Sequence, residues 1–153
     1  IELIDRFTYD EGETRGLFSL LVDTLRRVTA AEDVFLAVRY FELRLLDFVG
    51  FRPELFRCVN CGEDIRPLDQ FFSAQRGGAL CPNCGPGVGG ARPVSLDTLK
   101  YLRHLQRSSY PEATRAHLTP PVQREMEALL QHYITFLLER GLNSPDFLNE
   151  VRG

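Results

Sequence analysis

Residues 58–85 read CVNCGEDIRPLDQFFSAQRGGALCPNCG and hold all four cysteines of the chain, as two CxxC pairs with nineteen residues between them. Two residues between thiols let both sulfurs of a turn reach one ion, and a second such turn at this distance completes a four-cysteine site. Each second cysteine is followed by glycine, Gly62 and Gly85, which tolerates the positive φ expected at the end of such a turn. Cys58, Cys61, Cys81 and Cys84 are therefore read as ligands of one structural zinc ion. Iron on four thiolates would use the same ligands. Two disulfides suit a small secreted scaffold rather than a chain with its own helical core, and a thioredoxin-like pair needs a single CxxC in a βαβ setting. Four protein ligands leave no coordination position for water, so the site is expected to order a loop and not to hydrolyse anything.

The composition around this stretch changes on both sides. Residues 56–90 are rich in Gly and Pro, lack helical periodicity and contain short β-prone pieces at FFS and ALC. Upstream, Leu17, Leu20, Leu21, Leu25 and Val28 mark an amphipathic helix over about 13–29. Val34, Val38, Phe41, Leu45 and Phe48 mark a more apolar, central helix over about 31–49, stopped by Gly50 and Pro53. Downstream, Ser95 is placed to cap a helix carrying Leu96, Leu99, Leu102 and Leu105, and Thr119 a longer one from the prolines to Gly141. Ile1, Ile4 and Phe7 already show helical spacing, so the chain is expected to continue an upstream segment, and SPDFLNEV predicts a short closing helix. The expectation is a mainly α protein: a helical bundle in two parts, 1–55 and 91–153, with a zinc-ribbon-like module inserted at 56–90.

The 153 residues carry a net charge of −3, unevenly spread. Residues 51–110 hold eight basic and five acidic side chains, whereas 1–50 hold six and ten. The cysteine region and the helix after it are thus a positive belt in an acidic protein, a pointer to an anionic partner. Lys100, Arg103, His104 and Arg107 fall at i, i+3, i+4 and i+7, one stripe turned away from the leucine face and continued by Arg57, Arg66, Arg76 and Arg92. Such a stripe is either a solvated face or a phosphate-contacting surface. His104, His117 and His132 are far apart, and no P-loop, GxSxG or HExxH pattern occurs, so no enzymatic activity is expected. No run of residues is apolar for long enough to span a bilayer, and a cytosolic protein is expected.

VRYFELRLLDFVGFRPELFRCVNCG at 38–62, followed by FSAQRGGALCPNC at 72–84, resembles the C-terminal part of the bacterial RecO recombination mediators. The matching pattern is a helix with FEL (Phe41 to Leu43), a Gly-aromatic step (Gly50, Phe51), the CxxCG turn and a GG-x-LC-x-x-C segment (Gly77 to Cys84). RGLNSPDFL, at 140–148, is similar to the family's closing segment, with Asn143 and Pro145 where basic residues usually stand. The resemblance implies an upstream OB-fold and a non-enzymatic, nucleoid-associated cytoplasmic role in DNA repair. It further implies binding of single- and double-stranded DNA, strand annealing, association with RecR, and recognition of the acidic tail of single-stranded DNA-binding protein for RecA loading. Arg39 matches the family's basic position ahead of FEL and is the residue it implies for that tail, or else a partner for Glu42; Tyr40 stands where some members carry a second basic residue. The alternative is a zinc-ribbon module that binds only protein.

Overall fold

The computed structural model describes residues 11–30 and 33–142. The expected helix over Ile1, Ile4 and Phe7 and the closing helix at 144–151 lie outside the described residues. Within them the protein is mainly helical: α1 (Glu11–Thr29), α2 (Val34–Phe48), α3 (Leu96–Arg107), α4 (Tyr110–Ala113) and α5 (Pro120–Leu142), with a small sheet of β1 (Gln70–Ser73), β2 (Gly78–Leu80) and β3 (Arg92–Val94). The strand order is β2-β1-β3, both pairings antiparallel.

The capping chemistry follows the sequence. Asp33 accepts from the Leu36 N–H at the start of α2, and Ser95 from the Thr98 N–H at the start of α3. Ser95 is itself held by Glu125, and the Leu96 N–H donates to Asp69 at 2.8 Å. The first turn of α3 is thereby tied both to α5 and to the cysteine region. Two elements were not anticipated. One is β3, whose Pro93 tolerates a sheet position because β3 is an edge strand. The other is the single turn α4, with proline in its first turn.

One core serves helices and sheet alike. Leu36, Tyr40, Leu43 and Leu46 of α2 meet Leu99, Leu102 and Leu105 of α3 and Met126, Leu130 and Tyr133 of α5, and the same cluster contains Leu55, Phe72 and Val94. Alternation along β1 sends Phe72 into this core, edge-on to Tyr133 with ring centroids 5.4 Å apart, and Phe71 to the opposite face. Two buried glutamines fasten the irregular chain: Gln106 donates to the Pro53 carbonyl, and Gln70 to those of Arg66 and Leu68. The face expected of α1 is only partly covered. Leu17, Leu20 and Val28 are half-buried, while Leu21, Leu25 and Phe18 stand exposed, because among the described helices α1 packs chiefly on α2.

Arg44, which the periodicity of α2 hides among apolar neighbours, closes the C-terminus of α3. Its guanidinium donates to the carbonyls of Leu105, Gln106 and Ser108 while stacking 4.6 Å from the Tyr40 ring. A cation on carbonyls left without helical partners satisfies both their lone pairs and the helix dipole. Arg44→Ala is expected to lower unfolding free energy by roughly 2 kcal/mol, with Arg44→Lys intermediate; urea unfolding checks this, and an unchanged midpoint in the alanine variant would contradict it.

Candidate functional site

The two CxxC turns converge. The four sulfurs of Cys58, Cys61, Cys81 and Cys84 all lie within 4.8 Å of one another, the Cys61–Cys81 pair at 3.9 Å. A tetrahedron with metal–sulfur bonds of ~2.3 Å has edges of roughly 3.8 Å, whereas a disulfide needs about 2.05 Å; all four thiols are free. The residues present therefore fit one four-coordinate metal ion. The first turn is built by bonds from Cys58 N–H to Glu63 O (2.8 Å) and Gly62 N–H to Cys58 O (2.9 Å), and pinned to β2 by Val59 N–H on Ala79 O (2.9 Å). The second is closed by the N–H groups of Cys84 and Gly85 on Cys81 O.

The two glycines after the turns do different work. Gly62 has φ 77°, in the left-handed region, as the sequence suggested. Gly85 is not among the positive-φ glycines: it opens a short 3-10 turn, Gly85–Gly87, and a Cβ there would stand 2.2 Å from Phe71 Cδ2. Its small size lets the second turn close over the outer face of β1, so the expectation of positive φ at Gly85 is corrected to one of space.

The thiols resist ionising together. Burial raises Cys58, yet the N–H donors of Cys61, Cys81 and Asn60 bring it down to about 6. The Glu63 N–H pulls Cys61 down but is outweighed by desolvation and the neighbouring sulfurs, which push it up to about 12. Cys84 is also raised, the Asn60 side chain working against the Cys81 sulfur and desolvation. Four thiolates at these distances need a cation among them.

The basic stripe divides between two surfaces. Arg103 and Arg107 flank Phe56, with guanidinium carbons 5.1 and 4.8 Å from its ring centre, and Arg103 Nε donates to the Leu55 carbonyl at 2.8 Å. Burial and then the Arg107 charge lower the pKa of Arg103. Lys100 and His104 instead open, with Tyr101 and Arg115, onto a groove of about 390 Å³ that also contains Asp97. His104 Nδ1 lies 3.2 Å from the Ser108 hydroxyl. Arg57 is exposed and 3.7 Å from the carboxylate of Asp64. Arg39 is buried at 7% exposure, its Nε paired with Glu42 and its Nη1 3.4 Å from Glu127. Burial pushes the Glu42 carboxyl up against the pull of Arg39. Sequence reasoning missed Phe56 as the platform under two arginines; its signal was the aromatic one residue ahead of Arg57 and two ahead of Cys58.

Two outcomes test the metal centre. Cys81→Ser should remove the bound ion and raise amide exchange in both turns, while α5 keeps its protection; loss of the entire helical circular dichroism signal would contradict that. Because metal displaces protons from the thiols, affinity should fall as pH falls, by about tenfold per pH unit for each proton displaced. Competition with a chelator between about pH 8 and about pH 6 reads this, and a pH-independent affinity would exclude thiolate ligation.

Comparison with known proteins agrees with the geometry. Residues 1–146 match the family described as recombination protein O, C terminal. The chain is 39% identical over 151 residues to a DNA repair protein RecO of Roseiflexus sp. (strain RS-1), covering 99% of this chain and 53% of that protein. It is 32% identical over 151 residues to the DNA repair protein RecO of Dehalococcoides mccartyi (strain CBDB1), covering 99% and 59%. With the protein of that name from Anaeromyxobacter sp. (strain K) it shares 35% over 150 residues, covering 98% and 59%. The chain thus spans just over half the length of the relatives it matches, and it belongs to the RecO C-terminal family.

Proposed function

We propose that this chain is the helical, metal-bearing region of a non-enzymatic DNA repair and recombination mediator. The observation that carries the reading is the family match over residues 1–146, supported by four thiols gathered within 4.8 Å of one another. In this reading the resident ion is zinc, it is structural, and its task is to hold the chain on either side of Cys58 in place. The protein acts in the bacterial cytoplasm, associated with the nucleoid. It binds single- and double-stranded DNA and anneals complementary strands, and it engages RecR and the acidic tail of single-stranded DNA-binding protein so that RecA can be loaded.

The surface proposed for DNA is the outer face of α3, from the groove at Lys100 to the Phe56 ring beside Arg103 and Arg107. Lys100 and Arg107 are exposed, and Phe56 under two guanidiniums holds their planes in a fixed orientation. Phosphates dominate such an interface, so affinity is expected to fall steeply with salt. Arg39 is proposed for the acidic tail, but an incoming carboxylate must compete with Glu42 for the same guanidinium. The pair would then act as an exchange site, in which tail binding releases Glu42 from the guanidinium.

In the full-length protein, changing Lys100 and Arg107 together to glutamine is expected to weaken binding of a labelled single strand roughly tenfold. It should also flatten the log–log salt slope by about 1 to 1.5. Absence of any binding at low salt by the unaltered protein would favour a zinc-ribbon module that contacts protein alone. For Arg39, Glu42→Gln is the informative variant, because it removes the charge of the buried partner and leaves only the more exposed Glu127 on the guanidinium. It should tighten binding of an Asp-rich tail peptide several-fold, and unchanged affinity, read by fluorescence anisotropy, would remove Arg39 from that role.

A further inference from the structure

Where the exit turn of α2, the β1–β2 turn and the last third of α5 converge lies a cleft of about 270 Å³. Arg52, Arg76 and Arg140 come to it from those three elements, and among the described residues no acidic side chain lines it. Three other clefts among the described residues each contain a carboxylate: Asp97 beside Lys100, Asp23 on α1, and Glu125 beside Arg92. Three guanidiniums with no carboxylate among them, in a protein of net charge −3, form a local field that attracts an anion.

The arginines are only lightly engaged. Arg52 is half exposed and 3.8 Å from Asp47, an ion pair too exposed and too long to hold it. Arg76 donates to the Asn60 side chain through Nη1, and Arg140 has no ion-pair partner among the described residues. The helix end accounts for Arg140, but not for Arg76 at the tip of a hairpin. Most of the apolar wall is out of reach of an entering side chain: Tyr133 and Leu137 are 2% and 7% exposed, Phe51 is half-buried, and the Tyr133 hydroxyl is committed to the Phe51 carbonyl at 2.9 Å. Forked donors without an apolar recess suit a phosphate oxyanion better than a peptide that needs an anchoring side chain.

The cleft is also joined to the Phe56 surface by a rigid stretch of chain. From Arg52 to Arg57 the backbone is pinned at Pro53 by Gln106, at Glu54 by the Ala79 N–H and at Leu55 by Arg103. Five residues span at most roughly 18 Å, which is about five nucleotides at the ~3.4 Å rise of one B-form strand. We propose that Arg52, Arg76 and Arg140 form a phosphate-binding site that receives the nucleic-acid backbone as a strand runs along residues 52–57 between this cleft and Arg103 and Arg107. This rests on the DNA-binding reading above and adds to it a second, separately testable contact.

The test compares three full-length variants binding a labelled oligo-dT of about thirty nucleotides across a salt series: R52Q/R76Q/R140Q in the cleft, K100Q/R107Q on the outer face of α3, and R15Q/R26Q/R124Q as a charge-matched control. The cleft variant is expected to bind about tenfold more weakly near physiological salt, with a slope shallower by about 0.7 for each phosphate lost. The control should stay within about twofold of the unaltered protein, by the same reasoning about localised phosphate contacts. Arg140→Gln alone, at an exposed helix position, should move affinity and slope the same way without touching either turn, which separates binding from folding. If the cleft variants bind like the unaltered protein while K100Q/R107Q is impaired, the cleft proposal fails and the DNA reading stands. Equal losses in cleft and control variants would reduce the effect to net charge and overturn the site. Binding of a poly-Glu peptide in place of the oligonucleotide, abolished by the cleft substitutions, would make it a carboxylate site and overturn the phosphate assignment. If the unaltered protein binds no oligonucleotide at low salt, both proposals fall together.

Discussion

Four thiol sulfurs within 4.8 Å of one another cannot all give up their protons unless a cation stands among them, and the shape of the chain between α2 and α3 depends on that constraint. Residues 57–69 contain no regular element beyond an isolated bridge between Arg57 and Asp64. Most of their side chains are exposed, so they bury little that could hold them closed. A four-thiolate ion contributes on the order of 10 kcal/mol to a small fold, against ~2 to 3 kcal/mol for a buried aromatic such as Phe72. An ion held there would therefore decide whether the turns close, and the apolar contacts what they close against.

What they close against is the helical body. The sheet has two working faces: Phe72 enters the common core against Tyr133, and Phe71 lies under Gly85 of the second cysteine turn. Order at the metal thus passes through one strand, four residues long, into α5. The first turn acts through a different route. Val59 and Glu54 bond to Ala79 of β2, which fixes residues 52–57 over α3 and sets Phe56 beneath Arg103 and Arg107. An ion on the four thiols would in this way set the position of the basic side chains at Phe56.

Much of this was legible because local chemistry and global fold agree. Cysteine spacing, the caps at Ser95 and the leucine period of α3 each specify their element without help from distant residues, and Leu99, Leu102 and Leu105 are buried as that period requires. What escaped reading is what only tertiary contact creates. Arg44 sits at a position whose neighbours are apolar, and its purpose appears only when the carbonyl end of α3 arrives from some sixty residues away. Gly85 looks in sequence like a second Gly62, yet it is needed for room against Phe71 and not for its φ. Likewise the helical period placed Lys100, Arg103, His104 and Arg107 on one stripe, whereas Phe56, brought in by the chain ahead of the metal turn, draws two of them to its ring. The arginines of the acid-free cleft come from three separate elements, so no window of sequence could have joined them.

Native mass spectrometry of the full-length protein, purified without chelator, tests the central claim most directly, since it counts ions and protons together. The account predicts one divalent metal per chain, lost on acidification, with a mass showing that protons were displaced from the thiols on binding. A metal-free protein whose mass is lower by four hydrogens, the signature of two disulfides, would contradict it.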